Sequence, residues 1–226
     1  MILQCCQIAF HGLPVSLCHP ERIKQAIGGL LKCLREKGIE IQDEYLFFDN
    51  RNSFPLIQYF VKDHFIGITG YNSGADALYS LFPHISRLKF GSQEYEIKEL
   101  WLGKINEEIE LSIRPIYYHL YNYIGLNSNN YKLAMKANDV QDLRNVITKA
   151  LTGHLKGCAN GLGLDIKTYP KVEIHRWDDV SLIRYKGIEL TSFTCLEFTT
   201  DLLLPDNIHI GKRASLGYGR LERLKL

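Results

Sequence analysis

The chain has 226 residues, 46% of them hydrophobic and 23% charged, with a formal net charge of +2. This balance is that of a folded soluble protein and excludes a disordered chain, and no run of eighteen apolar residues is present to form a membrane span. The length suits one large domain or two small ones.

Met1 to Phe10 is largely apolar and reads as a first strand, without the leading basic charge of a signal peptide. After a turn at Gly12 to Pro14, Pro20 opens a helix that sets Ile23, Ile27, Leu30, Leu31 and Leu34 on one face and ends at Gly38. Leu56 to Val61 and Phe65 to Gly70 read as a hairpin joined by Lys62, Asp63 and His64. Asn72 or Ser73 caps a helix running to about Phe82, where Pro83 stops it, and Ile85 to Phe90 supplies a further strand. The resulting order β-α-β-β-α-β is the ferredoxin-like unit.

Gly91 marks the expected boundary between a domain over 1–91 and a second over 92–226. There, Glu94 to Ile113 reads as a strand pair turning near Asn106, Ile116 to Ile124 as an aromatic-rich segment, and Asn127 to Asn130 as a polar loop. Asp139 to about Leu155 is an amphipathic helix with Val140, Leu143, Ile147, Ala150 and Leu151 on one side, ended by Gly157, Gly161 and Gly163. Strands follow near 168–176, 180–185, 189–200 and 218–224, giving a second ferredoxin-like domain whose second helix is reduced or replaced by the segment around Pro205. The fold class is therefore α+β, two tandem ferredoxin-like domains with antiparallel sheets and helices on one face. Trp101 and Trp177 read as core or interface residues.

The cysteines (Cys5, Cys6, Cys18, Cys33, Cys158 and Cys195) form no C-x-x-C pair and read as buried free thiols in a reducing cytoplasm. Cys18 and His19 lack further ligands at zinc spacing, so neither a metal nor another cofactor is expected.

Charge is concentrated at the end. His209 to Leu226 holds five Lys or Arg against one acid, a balance of +4, so the preceding residues sum to −2. Gly211, Gly217 and Gly219 are set among Lys212, Arg213, Ser215 and Arg220, a combination suited to a polyanion. A Walker A loop needs Lys and then Ser or Thr directly after its last glycine, and a dinucleotide fingerprint must open a helix; neither condition is met here. The alternative is a plain glycine turn between strands with basic residues serving solubility.

The stretch from Phe193 to Arg220, F-T-C-L-E-F-T-T-D-L-L-L-P-D-N-I-H-I-G-K-R-A-S-L-G-Y-G-R, resembles the C-terminal signature of the CRISPR-associated endoribonucleases that cut repeat RNA, the sixth Cas protein family. Phe54 to Leu78, F-P-L-I-Q-Y-F-V-K-D-H-F-I-G-I-T-G-Y-N-S-G-A-D-A-L, is similar to the N-terminal hairpin and helix start of one branch of that family. The resemblance implies two RRM-related domains side by side, a CRISPR repeat RNA partner, other CRISPR effector subunits as further partners, and a monomer or homodimer. It also implies metal-free cleavage by ribose 2′-hydroxyl attack, leaving a 2′,3′-cyclic phosphate and a 5′-hydroxyl. Gly211, Lys212, Arg213, Ser215, Gly217, Gly219 and Arg220 would hold the RNA backbone.

Such cleavage needs a base, a proton donor and charge stabilisation at the phosphorane. The branch that Phe54 to Leu78 resembles commonly keeps one or two histidines just before the Pro55 to Tyr59 strand, but Tyr45 to Ser53 contains none. That leaves two readings, a nuclease and an RNA-binding subunit of the same fold. For the nuclease, Tyr45 would position the 2′-hydroxyl, Arg51 would stabilise the phosphorane and His19, at the helix start, would act as acid or base. Each has a structural alternative: Tyr45 in the core, Arg51 in a solvated turn, His19 bonding backbone. His11 and His64 read as turn residues with the same two options, and Tyr117, Tyr118, Tyr121 and Tyr123 as a cluster of which some must pack inward.

Overall fold

The computed structural model describes all residues except 15, 16, 18, 49–52, 63, 64, 127, 135, 138, 179, 186, 187, 225 and 226. The chain forms two compact units: Ile2–Glu107 with Ser215–Gly217, and Met1 with Glu108–Ala214 and Tyr218–Leu226.

The first unit runs β1 (Ile2–His11), α1 (Pro20–Glu36), β2 (Ile57–Lys62), β3 (Phe65–Tyr71), α2 (Ser73–Leu81), β4 (Arg87–Phe90), β5 (Gln93–Glu96) and β6 (Glu99–Glu108). Its main sheet has the order β2-β3-β1-β6. Ile68 of β3 lies opposite Ile8 of β1 and Tyr59 of β2, both antiparallel. Ile23, Ile27, Leu31 and Leu34, three or four residues apart on α1, close over this sheet with Leu78 and Leu81 of α2.

One strand assignment changes. The strand expected at 85–90 does not complete the sheet; β4 pairs with β5 in a separate hairpin whose turn holds Gly91, and β6 takes the fourth place beside β1. The sequence of β4, Arg-Leu-Lys-Phe, buries Leu88 while leaving Arg87 exposed, whereas β6 has the length of β1. The reversal after β6 falls at the buried Ile109 rather than at Asn106. Trp101 of β6 is 49% exposed, so it is not a core residue, and Cys33 on α1 is likewise exposed.

The second unit runs β7 (Glu110–Tyr123), α3 (Ser128–Ala134), α4 (Val140–Gly161), β8 (Val172–Trp177), β9 (Val180–Tyr185), β10 (Ile188–Leu203) and β11 (Arg220–Arg223). Its sheet has the order β11-β7-β10-β8, with β9 paired to the start of β10. In each unit the strands therefore lie fourth, first, third, second, the ferredoxin-like order. Asp139 caps α4 by accepting from the Asp142 N–H at 2.8 Å. The helix passes Gly157 and stops at Gly161, because Leu155, Cys158 and Ala159 continue its buried stripe; Val140, expected on that stripe, is exposed. The short α3 occupies part of the expected polar loop. From residue 204 to 219, where a second helix would sit, the chain has an irregular path with one 3₁₀ turn, Ala214–Leu216. Among the described residues no helix is long and apolar enough to cross a membrane.

Candidate nucleic-acid interface

The irregular segment ends in the glycine loop, clamped at both ends to the end of β7 and the residue after it. Ile210 N–H donates to the Gly219 carbonyl at 2.8 Å, Gly219 N–H to the Asn122 carbonyl at 3.1 Å and Lys212 N–H to the Ile124 carbonyl at 2.9 Å. Gly211 and Gly219 have φ of +88° and +71°, where a side chain is strained. Space forbids one as well: a Cβ on Gly219 would stand 1.9 Å from the Ile210 carbonyl oxygen, and one on Gly211 2.7 Å from the Tyr123 ring. Arg213 also takes a left-handed φ, +60°. Ser215 and Gly217 belong with the first unit, where a Cβ on Gly217 would meet the Tyr59 carbonyl oxygen at 3.1 Å and Pro20 Cγ at 3.4 Å.

Lys212 is partly buried, and its ammonium is held below the ordinary lysine range, first by that burial and then by the neighbouring Arg213. An anion would relieve both effects. Arg220 is committed within the protein: its guanidinium donates to Asn207 Oδ1 at 3.2 Å and Glu222 Oε2 at 3.1 Å and lies 4.7 Å from the centre of the Tyr121 ring.

The candidate catalytic residues do not converge. His19 is the N-cap of α1, its Nδ1 accepting from the Glu21 N–H at 3.3 Å. Tyr45 sits in a 3₁₀ turn, Glu44–Phe47, that an Arg35–Glu44 ion pair ties to the last turn of α1. Seventeen residues of helix span roughly 25 Å, so His19 and Tyr45 lie at opposite ends. Tyr45 is 56% exposed and so is not a core residue. His19 precedes Pro20, whose Cγ approaches Gly217 within the first unit, whereas Tyr45 does not. Arg51 and His64 lie outside the described residues.

Two groups near the loop escaped the sequence reading. Tyr123 is fully buried and its hydroxyl is 2.8 Å from Nδ1 of His154 on α4. Burial, and secondarily Lys212, lowers the His154 imidazole to about 4, while burial pushes the Tyr123 phenol far up. His154 stands seven residues after the buried Ile147, a spacing that places it on the inner stripe of α4. The other group lies on one face of the second sheet. Alternation along β7 buries Tyr118 and Leu120 and turns His119 and Tyr121 the other way, with His119 Nδ1 at 3.0 Å from the Tyr121 hydroxyl and Nε2 at 3.6 Å from Glu197. A period-two reading of 116–121 would have separated these faces. Among the described residues no cluster of His, Cys, Asp or Glu is arranged to hold a metal ion.

Two ferredoxin-like units, the second crossing to its last strand through a basic glycine loop, define a tandem α+β class of protein. Comparison narrows it. The model of the Cas6b C-terminal domain matches residues 110–224. The chain belongs to the Cas6b family, among the Cas6-type CRISPR RNA-processing endoribonucleases. A crystal structure of Cas6b superposes with a TM-score of 0.77 at 19% identity, covering 99% of this chain and all of that one. Csf5, a CRISPR-Cas type IV Cas6 crRNA endonuclease, gives 0.59 at 14% identity over both whole chains. An uncharacterized protein of Methanocaldococcus jannaschii is 26% identical over 103 residues, 46% of this chain and 68% of that protein.

Proposed function

We propose that the protein binds CRISPR repeat RNA through the glycine loop and cuts it without metal. The observation that carries this reading is the loop itself, a backbone-clamped turn bearing Lys212 and Arg213. Gly211, Lys212, Arg213, Ser215, Gly217 and Gly219 form the grip, and Arg220 braces its far end. In the reaction the ribose 2′-oxygen bonds to phosphorus as the bond to the 5′-oxygen breaks. The 2′-hydroxyl gives its proton to a base and the leaving oxygen receives one from an acid, giving a 2′,3′-cyclic phosphate and a 5′-hydroxyl. His19 suits one of these transfers: its Nδ1 is used as a cap, which leaves Nε2, and a helix start favours a phosphate. Arg51 remains a further candidate for phosphorane stabilisation. Tyr45, at the other end of α1, is left without a part in that step. The protein would act in the cytoplasm, as a monomer or homodimer or with other effector subunits.

The second reading, RNA binding without cleavage, draws on the absence of histidine from Tyr45 to Ser53 and on the capping role of His19. The deciding experiment incubates end-labelled repeat RNA in EDTA with wild type and with Lys212→Ala plus Arg213→Ala. A single cut ending in a cyclic phosphate is expected, with affinity at least about tenfold lower in the double variant and its salt slope reduced by roughly 1 to 2. Tight binding without a cut would establish the second reading, and no binding to any repeat would end both.

A further inference from the structure

We propose that Tyr123 and His154 are a positioning pair that fixes the Gly211–Lys212 turn for RNA. The inference rests on the reading of the glycine loop as the RNA grip. It starts from a chain of contacts inside the second unit. The Tyr123 ring is enclosed by backbone: a Cβ on Gly125 would lie 2.3 Å from its Cε1 and one on Gly211 2.7 Å from its Cε2. The next residue, Ile124, accepts the Lys212 N–H at 2.9 Å. A shift of this ring therefore moves the turn that carries Lys212.

The ring is held in place by its hydroxyl. A buried phenol needs an acceptor, and among the described residues Tyr123 has the single partner His154. The phenol must then donate to Nδ1, which puts the imidazole hydrogen on Nε2 and keeps the ring neutral. Burial enforces that state, and a second positive charge near Lys212 is disfavoured as well. A phenylalanine facing a leucine would fill the same space with no polar group to satisfy, so the hydrogen bond adds direction rather than burial. The imidazole meets the phenol ring edge-on, with centroids 5.8 Å apart and planes at 83°, which leaves the phenol a single orientation.

The test uses His154→Leu, Tyr123→Phe, the two combined, and His154→Gln, whose amide can still accept from the phenol. Two readouts are taken well below each variant's melting temperature: affinity for labelled repeat RNA and hydrogen exchange of the Lys212 amide. His154→Leu and Tyr123→Phe should each weaken RNA binding by about tenfold and speed Lys212 exchange, while His154→Gln stays near wild type. The combined variant separates direction from stability. With both polar groups gone it should regain most of its melting temperature yet still bind RNA weakly. Wild-type affinity in the combined variant would overturn the proposal, as would unchanged Lys212 exchange in Tyr123→Phe. If His154→Leu does not fold, Tyr123→Phe against His154→Gln decides the same question. The exchange readout needs no RNA: if Lys212→Ala plus Arg213→Ala binds RNA as wild type does, the grip reading fails, while Lys212 exchange still reports whether the pair holds the turn.

Discussion

The two units lay their strands in the same order and differ in how the third strand reaches the fourth. In the first the route passes through α2, whose Ala75, Ala77, Leu78 and Leu81 are buried beneath the sheet. In the second it passes through residues 204–219, with one 3₁₀ turn and a basic glycine loop. A helix satisfies its own backbone and needs a packing surface. The irregular crossing instead relies on individual bonds to Asn122 and Ile124, and it leaves cations in a partly open loop. The same fold thus uses one crossing for core packing and gives the other over to a binding loop.

The sharpest way to press that contrast is at the histidine that opens α1. His19→Asn keeps a capping acceptor for α1, so the melting temperature should hold while single-turnover cleavage of repeat RNA falls by 10² or more. Cleavage at the wild-type rate would remove His19 from the chemistry.

The next effect concerns glycine in each crossing. Gly219→Ala must accept both a left-handed φ and a contact of 1.9 Å with Ile210, and should cost about 3 kcal/mol or more in a denaturant melt. Gly74→Ala on α2 meets the Leu56 carbonyl oxygen at 2.3 Å, again destabilising, by about 2 kcal/mol, but it belongs to the helical crossing and should leave RNA affinity per folded molecule unchanged. Equal losses of affinity in the two variants would erase the distinction between the crossings.

Acid should act through the second unit. Burial holds His154 near 4 and His209 near 3, Lys212 and Arg220 adding to the respective effects, against an ordinary value of 6.5. Between those values the unfolded chain binds protons that the folded chain does not. The stability these histidines contribute is therefore complete above the ordinary range and is lost as pH falls from about 6.5 toward 4 and below, by up to about 1.4 kcal/mol per pH unit for each. His154→Gln with His209→Gln should flatten the melting temperature across that window. An unchanged acid slope would assign the loss to carboxylates.

How much of this was legible follows from range. The ends of α1, the hairpin of β2 and β3, the lack of a second helix after β10 and the glycine loop all rest on local signals: Pro20, Gly38, alternation, and glycine beside lysine. What stayed hidden depends on residues distant in sequence. Nothing within Arg87–Phe90 says that β6 will outcompete it for the edge of β1, and the extension of α4 past Gly157 follows from what covers Cys158 and Ala159. The approach of Pro20 to Gly217 joins nearly opposite ends of the chain, so His19 and Tyr45 looked equally placed.

Tyr45 gives the smallest expected effect and a clean control. The segment after α1 occupies the place where the family usually keeps catalytic side chains, though it lacks their histidine, and that made Tyr45 a candidate alongside His19. Its place at the far end of α1, a helix length from Pro20 and Gly217, separates it from His19. With 56% of its surface exposed, its ring adds little to the core that Leu46 and Phe47 beside it enter. Tyr45→Phe should therefore change stability by less than about 0.5 kcal/mol and leave the cleavage rate within about twofold. A large drop in rate with the fold intact would mean that RNA reaches along the whole of α1, and the chemistry would then have to be rebuilt around Tyr45 rather than His19.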